Sequence, residues 1–154
     1  MKATALLTVV VTVAISVFTL VVVANPRPNA PQPVSSPSAA SIERGRYLVN
    51  RVGMCIDCHS PRDASGNFVE SRQLTGSPLG FVPTVPMPWS PAAPRIAGLP
   101  VGFTRAETVH FLMTGDRPHG RPGVLPPMPP YRLDRPDAEA IAAYLESLPV
   151  GPSE

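Results

Sequence analysis

The sequence predicts a small all-α domain, and three observations predict it. Three segments carry helical apolar spacing with their own start and stop signals, the connections are long and proline-rich without a clear period, and a Cys-x-x-Cys-His motif follows the first segment. At 154 residues the chain has room for one such domain together with tails or a membrane segment. The formal net charge is +2, Lys2 is the only lysine, and the arginines are interspersed with acids. No basic run suggests nucleic acid.

The first helix is expected from an N-cap at Ser41, with Ile42, Gly45, Leu48, Val49 and Val52 on one face. The middle helix starts at a capping box, Thr104-Arg105-Ala106-Glu107, presents Ala106, Val109, Leu112 and Met113 on one side, and stops at Gly115. In the last helix Asp134 caps, Pro136 and Asp137 suit the first turn, and Ala138, Ile141, Leu145 and Leu148 form a buried stripe before Pro149. Between the first and middle helices, Pro61 to Phe103 is a long segment without regular period, and such a length needs something to wrap.

The only two cysteines stand in Cys55-Ile56-Asp57-Cys58-His59. This pattern is read first as covalent c-type haem attachment, with both thiols bonded to one edge of the ring and His59 as the proximal ligand. A disulfide, a thioredoxin-like redox pair and half of a zinc site are the alternatives. The chain lacks the second ligand pair of a zinc site and the β-α-β surroundings of a thioredoxin. A large apolar ring also gives the long loop its object and replaces side-chain core. The second ring nitrogen of His59 should donate to a backbone carbonyl, for which Pro78 is the expected acceptor.

The sixth iron ligand has six candidates: Met54, Met87, Met113, Met128, His110 and His119. Met54 adjoins the attachment site, Met113 falls on an apolar helix side where methionine is usually core, and the histidines lie beside the middle helix stripe or in a turn. Met87 competes, but Met128 is favoured. Four prolines flank it in Pro126-Pro127-Met128-Pro129-Pro130, so a weak thioether is presented by a loop that loses little entropy on ordering.

Residues 1–24 are expected to be a membrane anchor. The 22 residues from Ala3 to Ala24 carry no charge, long enough to span a bilayer and longer than the usual apolar core of a secretory signal. A cleaved signal peptide is the alternative, because Val22 and Ala24 leave a small-residue site before Asn25. Residues 25–41, with five prolines from Pro26 to Pro37, read as an extended semi-rigid linker. Residues 42–150 form the domain, and 151–154 a tail. Covalent haem attachment in bacteria follows export, so the domain is expected on the periplasmic side of the cytoplasmic membrane.

The order of helix, Cys-x-x-Cys-His, long loop, methionine loop and terminal helix resembles class I cytochromes c over roughly Ile42 to Pro149. Gly45-Arg46-Tyr47-Leu48-Val49 before the motif looks like the single-haem domains that serve membrane-associated dehydrogenases and oxidases. So does Met128-Pro129 followed by Tyr131, Leu133, Asp137, Ala140-Ile141 and Ala143-Tyr144-Leu145. The resemblance implies one covalent haem c with His59 and Met128 as axial ligands, and a crossing of first and last helices through Gly45 against Ala140 or Tyr144. It further implies a carrier of single electrons between a dehydrogenase or other respiratory donor and an oxidase or other acceptor, rather than an enzyme in itself. The Pro-Asn-Ile that often precedes the middle helix in such domains is Pro94-Arg95-Ile96 here. A nearly neutral domain without lysines offers no charged docking ring, so partner contact is expected through a less polar patch. The alternatives are a haem enzyme or gas sensor with an open sixth position, and a structural haem subunit of a larger complex.

Overall fold

A computed structural model describes residues 36–150. The expected membrane anchor, most of the linker and the short tail lie outside these residues. Among the described residues no helix is long and apolar enough to cross a membrane.

The first helix, α1 (Ala39–Tyr47), starts three residues earlier than its sequence signals suggest. Ser38 is the N-cap, its hydroxyl accepting from Ser41 N at 3.1 Å, so Ser41 lies inside the first turn. The expected linker therefore gives way to helix at Ala39-Ala40, alanine being the residue that loses least on entering a helix. The helix runs on as a π turn over Leu48–Val52, closed by Gly53 N donating to Leu48 O at 2.7 Å. Cys55–His59 form the short helix α2.

The long segment after α2 is not wholly without strand. Two residue pairs, β1 (Ser77–Pro78) and β2 (Ala92–Ala93), make a small antiparallel ladder, Ser77 opposite Ala93 and Pro78 opposite Ala92. Before it, the Arg62 guanidinium donates to Asp57 and to the Gly66 carbonyl, both at 2.9 Å, and stacks 3.8 Å from the Phe68 ring centroid. A cation over an aromatic face with its donors satisfied gives this turn a fixed centre.

Helix α3 (Arg105–Thr114) has the expected capping box: Glu107 N donates to Thr104 Oγ1 at 3.2 Å while Thr104 N donates to the Glu107 carboxylate at 2.7 Å. It ends at Gly115 in the left-handed conformation, φ 82°. Its inward face differs from the expected one. Thr108, Val109, Phe111 and Leu112 are buried, Met113 is partly so, and Ala106 is exposed. Phe111 turns in because its ring meets Phe103 edge-on at 5.7 Å, and the buried Thr108 hydroxyl is satisfied by the Thr104 carbonyl at 2.9 Å.

Helix α4 (Arg135–Ser147) is capped by Asp134, which accepts from Asp137 N at 3.2 Å. It buries every residue from Ala140 to Leu145, together with Ala138. So many positions turn inward because α4 packs on both α1 and α3, and alanine lets both backbones approach. The expected α1–α4 crossing is present at the expected residues. A Cβ on Gly45 would stand 2.0 Å from the Ala140 carbonyl oxygen and 2.7 Å from Tyr144 Cβ, so only glycine fits. Arg44 braces the same crossing with a bidentate pair to Asp137, 3.0 Å at each contact, though its exposure makes it a minor contributor to stability. Gly45→Val is expected to destabilise the domain by about 3 kcal/mol or to prevent folding, as read by denaturant unfolding followed by circular dichroism.

Candidate haem attachment site

Helix α2 places the three motif residues on one short scaffold. Cys55 and Cys58 are partly buried and carry free thiols, and His59 is buried. Among the described residues no three His, Cys, Asp or Glu side chains converge as a zinc site needs. Burial pushes the Cys55 thiol up to about 11, opposed in part by the neighbouring Tyr131 hydroxyl.

His59 is held from two directions. Its Nδ1 lies 2.7 Å from the Pro94 carbonyl, which can only accept, so Nδ1 carries the proton and Nε2 keeps its lone pair. Burial holds the imidazole below its ordinary pKa, opposed in part by this hydrogen bond, so the ring is neutral and ready to ligate. The acceptor is Pro94 and not Pro78. Pro78 sits in the β1–β2 ladder, where its carbonyl accepts from Ser77 Oγ, whereas Pro94 is the first residue beyond that ladder.

The segment that delivers Pro94 is stitched to the motif. Gly76 N donates to the His59 carbonyl at 2.8 Å, and Leu74 N to Ser60 Oγ at 2.9 Å. The Leu74 carbonyl in turn accepts from Ile96 N and Ala97 N at 2.9 and 3.0 Å. Gly76 has φ 96°, and a Cβ there would lie 2.9 Å from Arg95 N and 3.1 Å from the Pro94 carbonyl carbon, so backbone passes backbone at this point. Ser60 is only 2% exposed and was given no role by its sequence context.

Beside Cys55 opens an apolar recess lined by Leu48, Val52, Leu112, Tyr131, Leu133 and Ile141. It is wall enough for the face of an apolar ring, and Val52, 57% exposed on its rim, is the kind of side chain such a ring covers. Two buried polar atoms, Asn50 Oδ1 and Trp89 Nε1, have no hydrogen-bond partner among the described residues. Orphans of this sort are rare unless a bound group or water completes them. Two thiols, a neutral imidazole with a free Nε2 and an apolar wall fit a covalent haem.

Met128 is partly buried against the core and its loop reaches the motif: Tyr131 donates through its hydroxyl to the Gly53 carbonyl at 2.6 Å. Burial first, then the neighbouring Cys55, pushes the Tyr131 phenol up to about 12. The loop is also tied at Ser90 N to the Pro126 carbonyl, 2.9 Å, and at Leu133 N to the Leu112 carbonyl, 3.1 Å. Of the other candidates, Met87 and Met54 are exposed, Met113 packs against the core, His110 is exposed, and His119 pairs with Glu107 at 3.3 Å. Sequence reasoning missed Ser60, Gly76, Pro94 and the Tyr131 hydroxyl. Gly76 in Leu74-Thr75-Gly76 was the available signal, as a glycine inside an otherwise uninterpreted loop.

Phe81, Val82, Val85, Met87 and Leu125 are exposed, Val82 to 78%, and no charged residue lies between Arg72 and Arg95. The loop between β1 and β2 thus presents an apolar, uncharged surface.

Ser60→Ala is expected to leave the buried Leu74 N–H without an acceptor, at about 2 kcal/mol in unfolding free energy, with faster amide exchange at Leu74 and Gly76.

No family model matches the chain. A diheme cytochrome c-type protein of Cereibacter sphaeroides is 31% identical over 115 residues, covering 70% of this chain and 35% of that protein. The fructose dehydrogenase cytochrome subunit of Gluconobacter japonicus is 32% identical over 114 residues, covering 69% of this chain and 22% of the subunit. The chain thus spans about a third of the first relative and about a fifth of the second. In sequence this chain resembles c-type cytochromes, among them the cytochrome subunit of a dehydrogenase.

Proposed function

We propose that residues 36–150 form a domain with one covalent haem c, which passes single electrons from a dehydrogenase to a second redox protein on the periplasmic face of the cytoplasmic membrane. The uncharged stretch Ala3–Ala24 is the anchor in this reading, and the proline-rich linker the tether. The observation that carries it is His59: its Nδ1–H is engaged by the Pro94 carbonyl, its Nε2 is free, and it follows two unbridged thiols beside an apolar recess. The likeness to a dehydrogenase cytochrome subunit supports the dehydrogenase as donor, and the single Cys-x-x-Cys-His supports one haem in this chain.

When bound, the haem supplies a one-electron redox centre. Cys55 and Cys58 would hold it as thioethers, and His59 and Met128 would ligate the iron. A histidine–methionine pair favours the reduced state, and Leu48, Leu112, Leu133 and Ile141 exclude water, which acts in the same direction. The Pro94 carbonyl fixes the imidazole plane and raises its basicity. The partner meets the apolar surface around Phe81 and Val82.

The protein purified from membranes is expected to keep its pigment through acid acetone, and Cys55→Ala with Cys58→Ala to lose it. Met128→Ala is expected to lower the reduction potential and to bind carbon monoxide quickly when reduced, while Met87→Ala changes neither. Rapid and complete binding of carbon monoxide by the unaltered reduced protein would return the open sixth position of an enzyme or sensor.

A further inference from the structure

The methionine loop is poor in backbone donors with which to fasten itself to the attachment segment. Pro126, Pro127, Pro129 and Pro130 have no N–H, so from 126 to 130 only Met128 can donate, and it donates to Leu125 within the same loop at 3.2 Å. What joins this loop to the attachment segment is a side chain. The Tyr131 hydroxyl, three residues after Met128, donates to the Gly53 carbonyl at 2.6 Å across 78 positions of sequence.

The acceptor is on firm ground. Gly53 closes the π turn of α1 by donating to Leu48 O at 2.7 Å, and it precedes Cys55 by two residues. A Cβ placed on Gly53 would lie 3.4 Å from the Tyr131 hydroxyl and 3.4 Å from Cys55 Sγ, so phenol, carbonyl and attachment thiol share one small region. The Tyr131 ring lines the same recess as Cys55 and Leu133.

We propose that Tyr131 is a positioning residue: its hydrogen bond to Gly53 holds the Met128 loop beside the attachment helix and so sets how tightly the thioether is kept on the iron. This rests on the reading of Met128 as sixth ligand. A thioether is a weak ligand, and its occupancy depends on how much freedom the loop gains when it lets go. With the clasp in place the released loop must also break a half-buried hydrogen bond. Without it, release is easier by roughly fivefold to tenfold in equilibrium constant, the effect of one ordinary hydrogen bond.

The test uses the full haem-loaded chain, unaltered and as Tyr131→Phe and Met128→Ala. The oxidised protein is titrated with imidazole, and loss of the near-infrared iron–thioether absorption reports displacement of the methionine. Phenylalanine keeps the ring in the recess, so the fold retains its packing. Tyr131→Phe is expected to show the absorption and to lose it at roughly fivefold to tenfold lower imidazole concentration. An unchanged imidazole midpoint overturns the proposal, whatever happens to unfolding, because a bond kept in both the ligated and displaced states affects only stability. Met128→Ala separates the two layers of the argument: if the absorption survives there, Met128 is not the ligand and the reading beneath the proposal fails.

Discussion

The hydrogen bond between His59 Nδ1 and the Pro94 carbonyl is the constraint around which the domain is arranged. One ring nitrogen must be occupied if the other is to be a defined lone pair, and the acceptor comes from 35 residues away. Three contacts between the two bring that carbonyl in: Ser60 receives Leu74, His59 receives Gly76, and a ladder of two residue pairs turns the chain back toward Pro94. The substitution of arginine at position 95 leaves this intact, since the contact uses the backbone of residue 94 and the Arg95 side chain bonds to the nearby Ala97 carbonyl.

The helices supply the rigid frame for that arrangement. Gly45 lets α1 meet α4 backbone to backbone, and the run of alanines in α4 lets a third helix close from the other side. Small residues at the crossings mean that the interior is thin, and the recess beside Cys55 is left for a group the chain does not itself provide.

The α4 cap at Asp134 and the α3 capping box were legible in the sequence because each is a local signal, whereas the Gly45 crossing was expected from the resemblance to class I cytochromes c. The stripe expected for α4 was correct but too narrow, since periodicity assumes one buried face and alanines permit two. The face of α3 was right at Val109 and Leu112 but turned toward Thr108 and Phe111 and away from Ala106, since Phe103, outside the helix, meets Phe111 edge-on. Pro94 as the partner of His59, Ser60 as the acceptor for Leu74, and the clasp of Tyr131 on Gly53 were not legible. Each joins residues that are far apart in sequence or hidden in a proline-rich loop, and backbone acceptors have no residue signature.

The uncharged loop between β1 and β2 has a consequence for encounter kinetics. Ionic strength modulates association through long-range fields, and the exposed side chains of Phe81, Val82 and Val85, with no ionised residue in their own segment, add nothing to such a field. An encounter that charge does not steer proceeds at about 10⁵–10⁶ M⁻¹s⁻¹, and an apolar surface retains what meets it by displacement of water at short range. Such a meeting tolerates changes in ionic strength.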